Sequence, residues 1–453
     1  MNLSNESKVF DQCIEAYDWR YAASIVGLFK YLSYFGEKDV DFKVTDDAIE
    51  FSSDDITKER YLQFVEHYYD VELQHVKIEK ILKGTEFSDD QIKMVNDLMQ
   101  GNSILKKVFK KIKFDGENKN EILTLIADNR SDLILETYRN KKNMYANFAN
   151  VNQLFNDRQE RCRLLGYYVD GGRKSKSISY NFDTKTFVSQ DENYFDFIPF
   201  AFIGNFESFF INDSYSVEEL ISTNIDFEHY VKMQKEELKD REVKVRTVLF
   251  ESIHEISDFL NYDVEVIYKN RDAVFFETMY LRNESIDIIK NVRDYRIFSK
   301  PIKLGNDFID IQKEVLNDIL NLVRVDSLIN MLLKENYRYL VSHLIALNTL
   351  ICKGGEHMNQ AMKNAYACAK KVVVKIPENK ISSYRQKLIS SIVIEDYDRY
   401  CQILLQMSNY CDIPFNFAFD LFEDFESNKD VAYTFINALT VNDFDKKEEA
   451  KDE

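Results

Sequence analysis

The chain of 453 residues contains little cysteine, proline or glycine, with six, four and twelve residues of each. This scarcity excludes collagen-like, low-complexity and disulfide-stapled chains. The cysteines form no C-x-x-C pair, which argues against a structural zinc site and favours a reducing compartment. Hydrophobic residues make up 45% of the chain, an ordinary fraction for a globular protein. At roughly 150 residues per domain, the length predicts about two or three domains.

Long apolar runs are also missing from the sequence. Residues 1–12 are polar and contain no apolar leader core, and no run reaches the ~18 apolar residues that a membrane-spanning helix needs. We therefore expect a cytoplasmic protein without a membrane partner. The formal net charge of −18 argues against general nucleic-acid binding but leaves room for a local basic surface.

Hydropathy patterns predict an α+β fold with a mixed first part and a helical second part. Residues 1–163 are predicted to be mostly helical with short strands, and residues 164–300 to be β-rich with hairpins. Residues 301–441 predict an all-α helical bundle, and residues 442–453 form an acidic tail. The strand signal stops at Pro301.

Local signals predict several elements in more detail. A helix should end at Gly36, and DFKVTDDAIEF should form two strands before a helix N-cap at Ser53 or Asp54. Two hairpins should turn at residues 170–172 and 270–272. In the C-terminal part, the pattern predicts helices over 308–334, 336–352, 358–375, 380–393, 395–410, 415–425 and 429–440.

Motifs for catalysis do not occur in the sequence. It contains no Walker loop, G-x-G-x-x-G, H-E-x-x-H or G-x-S-x-G. His67 and His75 lie near one helix face but need further ligands to bind a metal, and Cys162 is surrounded by arginines without a nearby histidine. We expect no enzyme activity, no cofactor and no metal. A nuclease using the acids Glu395 to Asp398 is a more distant alternative.

Two basic clusters precede the C-terminal part. In ILKKVFKKIKF, helical spacing predicts that the amines cover half of one helix; they include Lys106, Lys107, Lys110 and Lys111. The predicted hairpin tip beside two glycines carries Arg173, Lys174 and Lys176, which could enter a DNA groove or hold phosphates. Solvated surface charge explains either cluster equally well.

A third basic cluster is the clearest, because it contrasts with the rest of the chain. Between Lys353 and Lys387, eight cations and two anions give a local net charge of +6 in a chain of net charge −18. This contrast favours a surface that tracks phosphates. The candidate contacts are Lys363, Lys370, Lys371, Lys375, Arg385 and Lys387, of which the first three should share one helix face.

Several stretches resemble the large subunit of the type I-B CRISPR Cascade effector complex. They are AYDWRYAASIVGLFKYL, AIEFSSDDITKERYLQF, FDFIPFAFIGNFESFFINDSYSVEEL and KISSYRQKLISSIVIEDYDRYCQILLQMSNYCDIPF. The resemblance implies a non-catalytic protein that helps recognise the protospacer-adjacent motif and steadies unwound DNA. The implied partners are other Cascade subunits, the guide CRISPR RNA, target double-stranded and displaced single-stranded DNA, and the helicase–nuclease. The helical bundle would resemble the small subunit of related complexes.

The sequence departs from that family in its cysteines. Many relatives carry paired C-x-x-C motifs in the middle region, where this chain keeps only Cys162, so no zinc is expected. An adaptor that binds only proteins remains the alternative function.

One further feature can be interpreted through the genetic code. Lys353-Gly354-Gly355 can be encoded by a purine-rich, ribosome-binding sequence just before Met358. Some members of the family produce a separate small subunit from an internal start. Initiation at Met358 would likewise give a product of 96 residues, 358–453. An ordinary helix break followed by a methionine explains the same residues.

Overall fold

The computed structural model describes residues 10–36, 40–156, 163–165, 192–213, 215–238, 249, 263–273, 275–293, 295–304 and 307–440. Two compact units form the chain: Met1–Ser252 with Val264–Tyr280, called unit 1, and Ile253–Asp263 with Leu281–Glu453, called unit 2. Small antiparallel sheets in unit 1 and a mainly helical unit 2 confirm the predicted α+β class. Within these described residues, every helix is too short or too polar to span a bilayer. The predicted limits at 163/164, 300/301 and 441/442 remain predictions.

Unit 1 begins with a three-stranded antiparallel sheet beside a long helix. The elements are β1 (Gln12–Glu15), α1 (Trp19–Gly36), β2 (Phe42–Val44) and β3 (Ala48–Phe51). The central strand is β3, where Ile49 lies opposite both Ile14 of β1 and Val44 of β2. The helix ending at Gly36 and the two strands after it are confirmed, whereas the sequence patterns did not indicate β1.

The predicted helix N-cap at Ser53 or Asp54 is wrong. Ser53–Asp55 is a 3-10 turn, and the helix begins after Thr57, whose hydroxyl accepts a 3.2 Å hydrogen bond from the Arg60 amide. The Ser53 hydroxyl and amide instead donate to the Asp11 carboxylate at 2.5 and 2.7 Å. A partner 42 residues away in sequence therefore moves the cap by one turn.

Short helices follow, separated by turns. They are α2 (Lys58–Tyr69), α3 (Gln74–Leu82), α4 (Asp89–Met99), α5 (Ser103–Phe109), α6 (Lys119–Asp128), α7 (Arg130–Asn140) and α8 (Tyr145–Phe148). The helical character predicted for residues 57–113 is thus divided among four helices. Residues from α3 to α7 enclose a separate apolar core that includes Ile78, Val95, Phe109 and Ile126.

The main core of unit 1 forms where α1 packs on an aromatic 3-10 segment, Asn193–Phe200. The two backbones approach closely, since a Cβ atom at Gly27 would lie 2.0 Å from the Phe197 carbonyl oxygen. Asp196 in this segment is buried and accepts hydrogen bonds from Arg163 at 2.8 Å and from Tyr145 at 2.6 Å. A buried carboxylate with these partners fixes the segment inside the core.

A four-stranded antiparallel sheet completes unit 1, with strand order β4-β5-β6-β7. The strands are β4 (Ile203–Gly204), β5 (Glu207–Asn212), β6 (Val264–Asn270) and β7 (Glu277–Leu281). Helix α9 (Val217–Leu238) lies between β5 and β6 in the chain. The predicted turn at residues 270–272 is confirmed between β6 and β7. The other predicted hairpin, with its turn at 170–172, lies outside the described residues, as do Arg173, Lys174 and Lys176.

Unit 2 is mainly helical. Its elements are α10 (Asn283–Asn291), a 3-10 turn (Tyr295–Ser299), β8 (Ile302–Leu304), β9 (Asp307–Ile309), α11 (Ile311–Asn321), α12 (Asp326–Lys334), α13 (Arg338–Ile351), α14 (Glu356–Lys375), α15 (Glu378–Val393), α16 (Tyr397–Cys411), α17 (Ala418–Glu423) and α18 (Lys429–Ala438). Two sequence predictions are wrong here. Strands do not stop at Pro301, because β8 and β9 form a hairpin, and the helix over 308–334 is divided at Leu322, which adopts a left-handed conformation with φ of 54°.

The break between α13 and α14 is a Schellman turn. The Gly354 amide donates to the Thr349 carbonyl at 2.8 Å, and the Lys353 amide donates to the Leu350 carbonyl at 3.2 Å. Lys353 holds the left-handed position, with φ of 50°. Neither Gly354 nor Gly355 is therefore needed for the left-handed position of the turn, and the two differ in the space around them. A Cβ atom at Gly354 would lie 2.7 Å from Cγ2 of Thr349, whereas one at Gly355 meets nothing within 4 Å.

We expect Gly354→Ala to lower the free energy of unfolding of unit 2 by about 1–3 kcal/mol, because the methyl group overpacks against Thr349. Gly355→Ala is the matched control and should leave stability unchanged or raise it by about 0.4–1 kcal/mol. Urea unfolding separates the units, since the single tryptophan, Trp19, lies in unit 1 and circular dichroism follows all helices. Equal losses in both variants would contradict this account of the turn.

Candidate nucleic-acid interface

A long groove opens in unit 2 between α13 and α14. Both helices pack against α18, and the groove has a volume of about 960 Å³. Residues of α13 and α14 form much of its lining, and Thr434, Asn437, Ala438 and Thr440 contribute from α18 and the residues just after it. The width of the groove therefore depends on how α13 and α14 each pack against α18.

The α14 wall follows from the helical repeat. Lys363, Tyr366 and Lys370 recur at spacings of three and four residues, so they share one face, and all three line the groove. A different face of α14 is buried and consists of small and apolar residues, namely Ala361, Ala365, Cys368, Ala369 and Val372. Burial of this small-residue face leaves the amines and Tyr366 at the surface.

The α13 wall contributes a second aromatic and cationic pair at its first turn. Arg338 and Tyr339 line the groove next to Ser342. The Asn437 side chain on α18 donates to the Arg338 carbonyl at 3.0 Å and to the Ser342 hydroxyl at 2.9 Å. Since these bonds join α18 to the beginning of α13, they set where Arg338 and Tyr339 stand.

The groove offers exposed aromatic faces together with positive charge. Tyr339 is 59% exposed and Tyr366 is 52% exposed. The Lys370 ammonium lies 5.3 Å from the centre of the Tyr366 ring, within cation–π range. Among the described residues, the groove is lined by three cations and one acid, namely Arg338, Lys363, Lys370 and Glu335. Such a surface can stack flat rings and attract phosphates at the same time.

The structure divides the third basic cluster among different environments. Lys363 and Lys370 line the groove, while Lys371 and Lys387 are exposed elsewhere on α14 and α15. The shared face predicted for Lys363, Lys370 and Lys371 is therefore wrong for Lys371. The Lys375 ammonium donates to the Cys411 carbonyl at 2.9 Å, at the end of α16. This lysine complements the carbonyls at a helix C-terminus.

Arg385 does not belong to the accessible surface, which corrects its selection as a contact residue. Its guanidinium is buried and donates to the Leu333 carbonyl at 2.9 Å. Burial, together with the charge of Arg338, lowers the pKa of Arg385 to about 10. The reason is its position on α15, whose buried face also contains Ile381, Leu388 and Ile392.

The predicted helix with amines over half of its surface in unit 1 is also wrong, because α5 ends at Phe109. Lys106 and Lys107 lie on α5, but Lys110 has φ of 53° and Lys111 follows outside the helix. All four lysines are exposed. The chain turns here because the Phe114 amide donates to the Asn96 side chain at 2.8 Å, which places the Phe114 ring in the core.

Two of the candidate metal and nuclease residues, His75 and Asp396, have structural partners. The Asp396 carboxylate caps α16 by accepting from the Arg399 amide at 3.1 Å. His75 is buried, and its Nε2 lies 2.7 Å from the Glu66 carboxylate. Throughout the described part of the chain, no three histidine, cysteine or acidic residues converge on a possible metal position. Cys162 lies outside that part.

Sequence reasoning missed the aromatic half of the site. Tyr366 stands between the two groove lysines, and Tyr337-Arg338-Tyr339 is a compact aromatic–cationic motif. The interleaving of rings with cations was a usable signal for α14. Nothing in the local sequence indicates that α13 would face α14, because that arrangement depends on α18.

An ion pair between the buried Asp430 carboxylate and the partly exposed Arg324 guanidinium anchors α18. The Asp430 carboxylate accepts from the Arg324 guanidinium at 2.8 Å and from the Asn348 amide group at 3.0 Å. Arg324 also contacts Asp326 at the start of α12. These bonds connect α18 with the start of α12 and with α13.

A family model described as CRISPR-associated protein Csx8 matches the chain in two segments, residues 10–242 and residues 232–439. Together these segments cover most of the sequence. No curated protein matches it. The match confirms the predicted CRISPR association, while the finer assignment to a type I-B large subunit stays a prediction.

We expect Asp430→Ala to lower the free energy of unfolding of unit 2 by about 1–3 kcal/mol, since it removes an acceptor from the buried Asn348 side chain and reduces the ion pairs of Arg324 to the one with Asp326. Asp430→Asn keeps one acceptor oxygen and should cost less. Exposed Glu423→Ala on α17 is the control and should stay within about 0.5 kcal/mol of the parent. Circular dichroism in urea measures the difference, and similar values for Asp430→Ala and Glu423→Ala would contradict the role of the pair.

Proposed function

The chain belongs to the Csx8 family of CRISPR-associated proteins, and we propose that it is the large, non-catalytic subunit of an RNA-guided surveillance complex of the type I-B kind. Its partners would be the other Cascade subunits, the guide CRISPR RNA, target DNA and the helicase–nuclease, in the cytoplasm. Guide pairing would supply sequence specificity, and this subunit would contribute binding without chemistry.

The groove of unit 2 supports a role in holding displaced single-stranded DNA. A displaced strand has unstacked bases, which can lie on Tyr339 and Tyr366, and phosphates, which Arg338, Lys363 and Lys370 can contact. Stacking on tyrosine is tolerant of sequence because every base has a flat face. This tolerance suits a strand whose sequence changes with each target.

The negative charge of the remaining surface would confine the DNA to the groove. With a net charge of −18, most of the molecule repels phosphates at a distance. The exposed Lys106, Lys107, Lys110 and Lys111 in unit 1 are a second candidate surface, for duplex DNA. The third candidate surface is the hairpin tip that the sequence predicts around Arg173, Lys174 and Lys176. Recognition of the protospacer-adjacent motif would belong to the second and third surfaces.

An internal start at Met358 is a second part of the proposal. Met358 lies in the first turn of α14, directly after the Schellman turn. A product of residues 358–453 would contain α14 to α18, which contact one another. It would keep Lys363, Tyr366 and Lys370 but lack Arg338 and Tyr339, and so would carry one wall of the groove.

We expect Lys363→Gln with Lys370→Gln to weaken binding of the full chain to a labelled oligothymidylate. Each lost phosphate contact changes the slope of log K against log salt by about 0.7, so the double variant should change it by about 1.4. Tyr366→Ala should weaken binding by about 1–3 kcal/mol through lost stacking. Fluorescence anisotropy across a salt series measures both effects.

Lys371→Gln with Lys387→Gln removes the same charge outside the groove and is the matched control. Equal effects of the two double variants would mean that the groove has no special role. A flat salt response of the parent protein would favour the alternative function, an adaptor that binds only proteins.

We expect silent recoding of Gly354 and Gly355, which removes the purine-rich codons but keeps the protein sequence, to abolish a 96-residue C-terminal product. A C-terminal tag and an immunoblot detect that product beside the full chain. Silent recoding of Ala361 and Ala365, downstream of Met358, is the control. Persistence of the short band after recoding the glycines would exclude initiation directed by these codons.

A further inference from the structure

The chain leaves the described part of unit 2 directly at the groove. Helix α18 ends at Ala438, and Thr440, two residues later, lines the groove. Thr440 is also buried, so the exit point is fixed in place. The thirteen residues 441–453 therefore start at the site proposed to hold single-stranded DNA.

These residues have the charge that the groove lacks. The sequence VNDFDKKEEAKDE contains six acids and three lysines, a net charge of −3. Near its beginning, Phe444 stands between Asp443 and Asp445. An aromatic ring between two carboxylates presents a flat face flanked by negative charge, as does a base between two phosphates.

We propose that residues 441–453 occupy the groove and compete there with single-stranded DNA. In the proposed contact, the Phe444 ring would stack on the exposed tyrosines, and the carboxylates of Asp443 and Asp445 would pair with the groove cations. The charge of the segment and its position next to the groove support the contact, whether or not the groove binds DNA. The competition with DNA rests on the proposed function.

Distances along the chain allow this contact. Phe444 follows Thr440 by four residues, which can span up to about 14 Å when extended. The α14 wall runs from Asn359 to Lys370, about 16 Å of helix at 1.5 Å per residue. The whole segment can span about 45 Å, so its length covers the groove.

A covalently attached competitor needs little intrinsic affinity. Its effective concentration at the groove is on the order of millimolar, and the ion pairs involved weaken as salt rises. Apparent affinity for DNA falls in proportion to the fraction of open grooves, about fivefold if the segment occupies the groove for about four fifths of the time. The segment would thus reject weak, non-specific contacts while a complete displaced strand replaces it.

The first experiment requires no DNA. A chain that stops after Thr440, checked by circular dichroism for unchanged unfolding, is titrated into a fluorescein-labelled peptide of residues 441–453. We expect saturable, salt-sensitive binding that Lys363→Gln with Lys370→Gln weakens and Lys371→Gln with Lys387→Gln leaves near the parent value. Absence of peptide binding, or equal loss in both double variants, overturns the proposal.

The second experiment uses the full chain and an oligothymidylate probe. Asp443→Asn, Phe444→Ala and Asp445→Asn together should tighten DNA binding about fivefold. Asp452→Asn with Glu453→Gln removes the same two charges farther from Thr440, without a ring, and should change binding much less. Equal gains in DNA affinity in both variants would show that net charge alone explains the effect, and this result would overturn the specific contact.

The two experiments separate this inference from the proposed function. If the peptide binds the groove but no form of the chain binds the oligonucleotide, the tail contact is supported and the role in holding DNA is refuted. If every form binds the oligonucleotide equally and the peptide does not bind, the role in DNA binding stands and the tail contact falls.

Discussion

The candidate site depends on the buried carboxylate of Asp430 and its hydrogen bonds. Asp430 on α18 accepts hydrogen bonds from Arg324 and Asn348, none of which lines the groove. Burying a carboxylate without hydrogen-bond partners costs free energy, whereas a satisfied carboxylate favours one arrangement of its partners. These bonds therefore fix α18 relative to α12 and α13. The α14 wall packs on the same helix. The spacing between the two aromatic–cationic walls therefore depends on a contact whose residues do not line the groove.

Residues that look alike in the sequence have different roles in this unit. Lys363 and Lys370 line the groove, Lys375 complements the carbonyl end of α16, and Arg385 is buried under the Leu333 carbonyl. The local net charge of +6 is thus not a property of one surface. What distinguishes these cations is the helix face on which each lies and the element that packs against it. Tyr339 and Tyr366 matter equally, because they add stacking to attraction.

Membership of the Csx8 family places the chain among CRISPR-associated proteins, and the setting that we propose for the groove is a complex in which guide RNA pairs with DNA. The same chemistry that suits a displaced strand also suits an acidic segment with one aromatic residue. A groove built from a few cations and two exposed rings discriminates weakly between the two. Under the two proposals, occupancy of the groove depends on local concentration and salt, so an attached segment would change the apparent affinity of the groove without changing its residues.

The sequence alone determined the fold class, the helix ending at Gly36, the turn at residues 270–272 and most helices of unit 2. Those features depend on residues near one another in the chain, through helical or alternating periodicity and through glycine breaks. Tertiary structure alone decided which cations are accessible, where the cap after β3 lies and where α5 ends. Each of these depends on a distant partner: Leu333 for Arg385, Asp11 for Ser53 and Asn96 for Phe114. Local patterns contain no information about such partners, because the contacts exist only once the chain has folded.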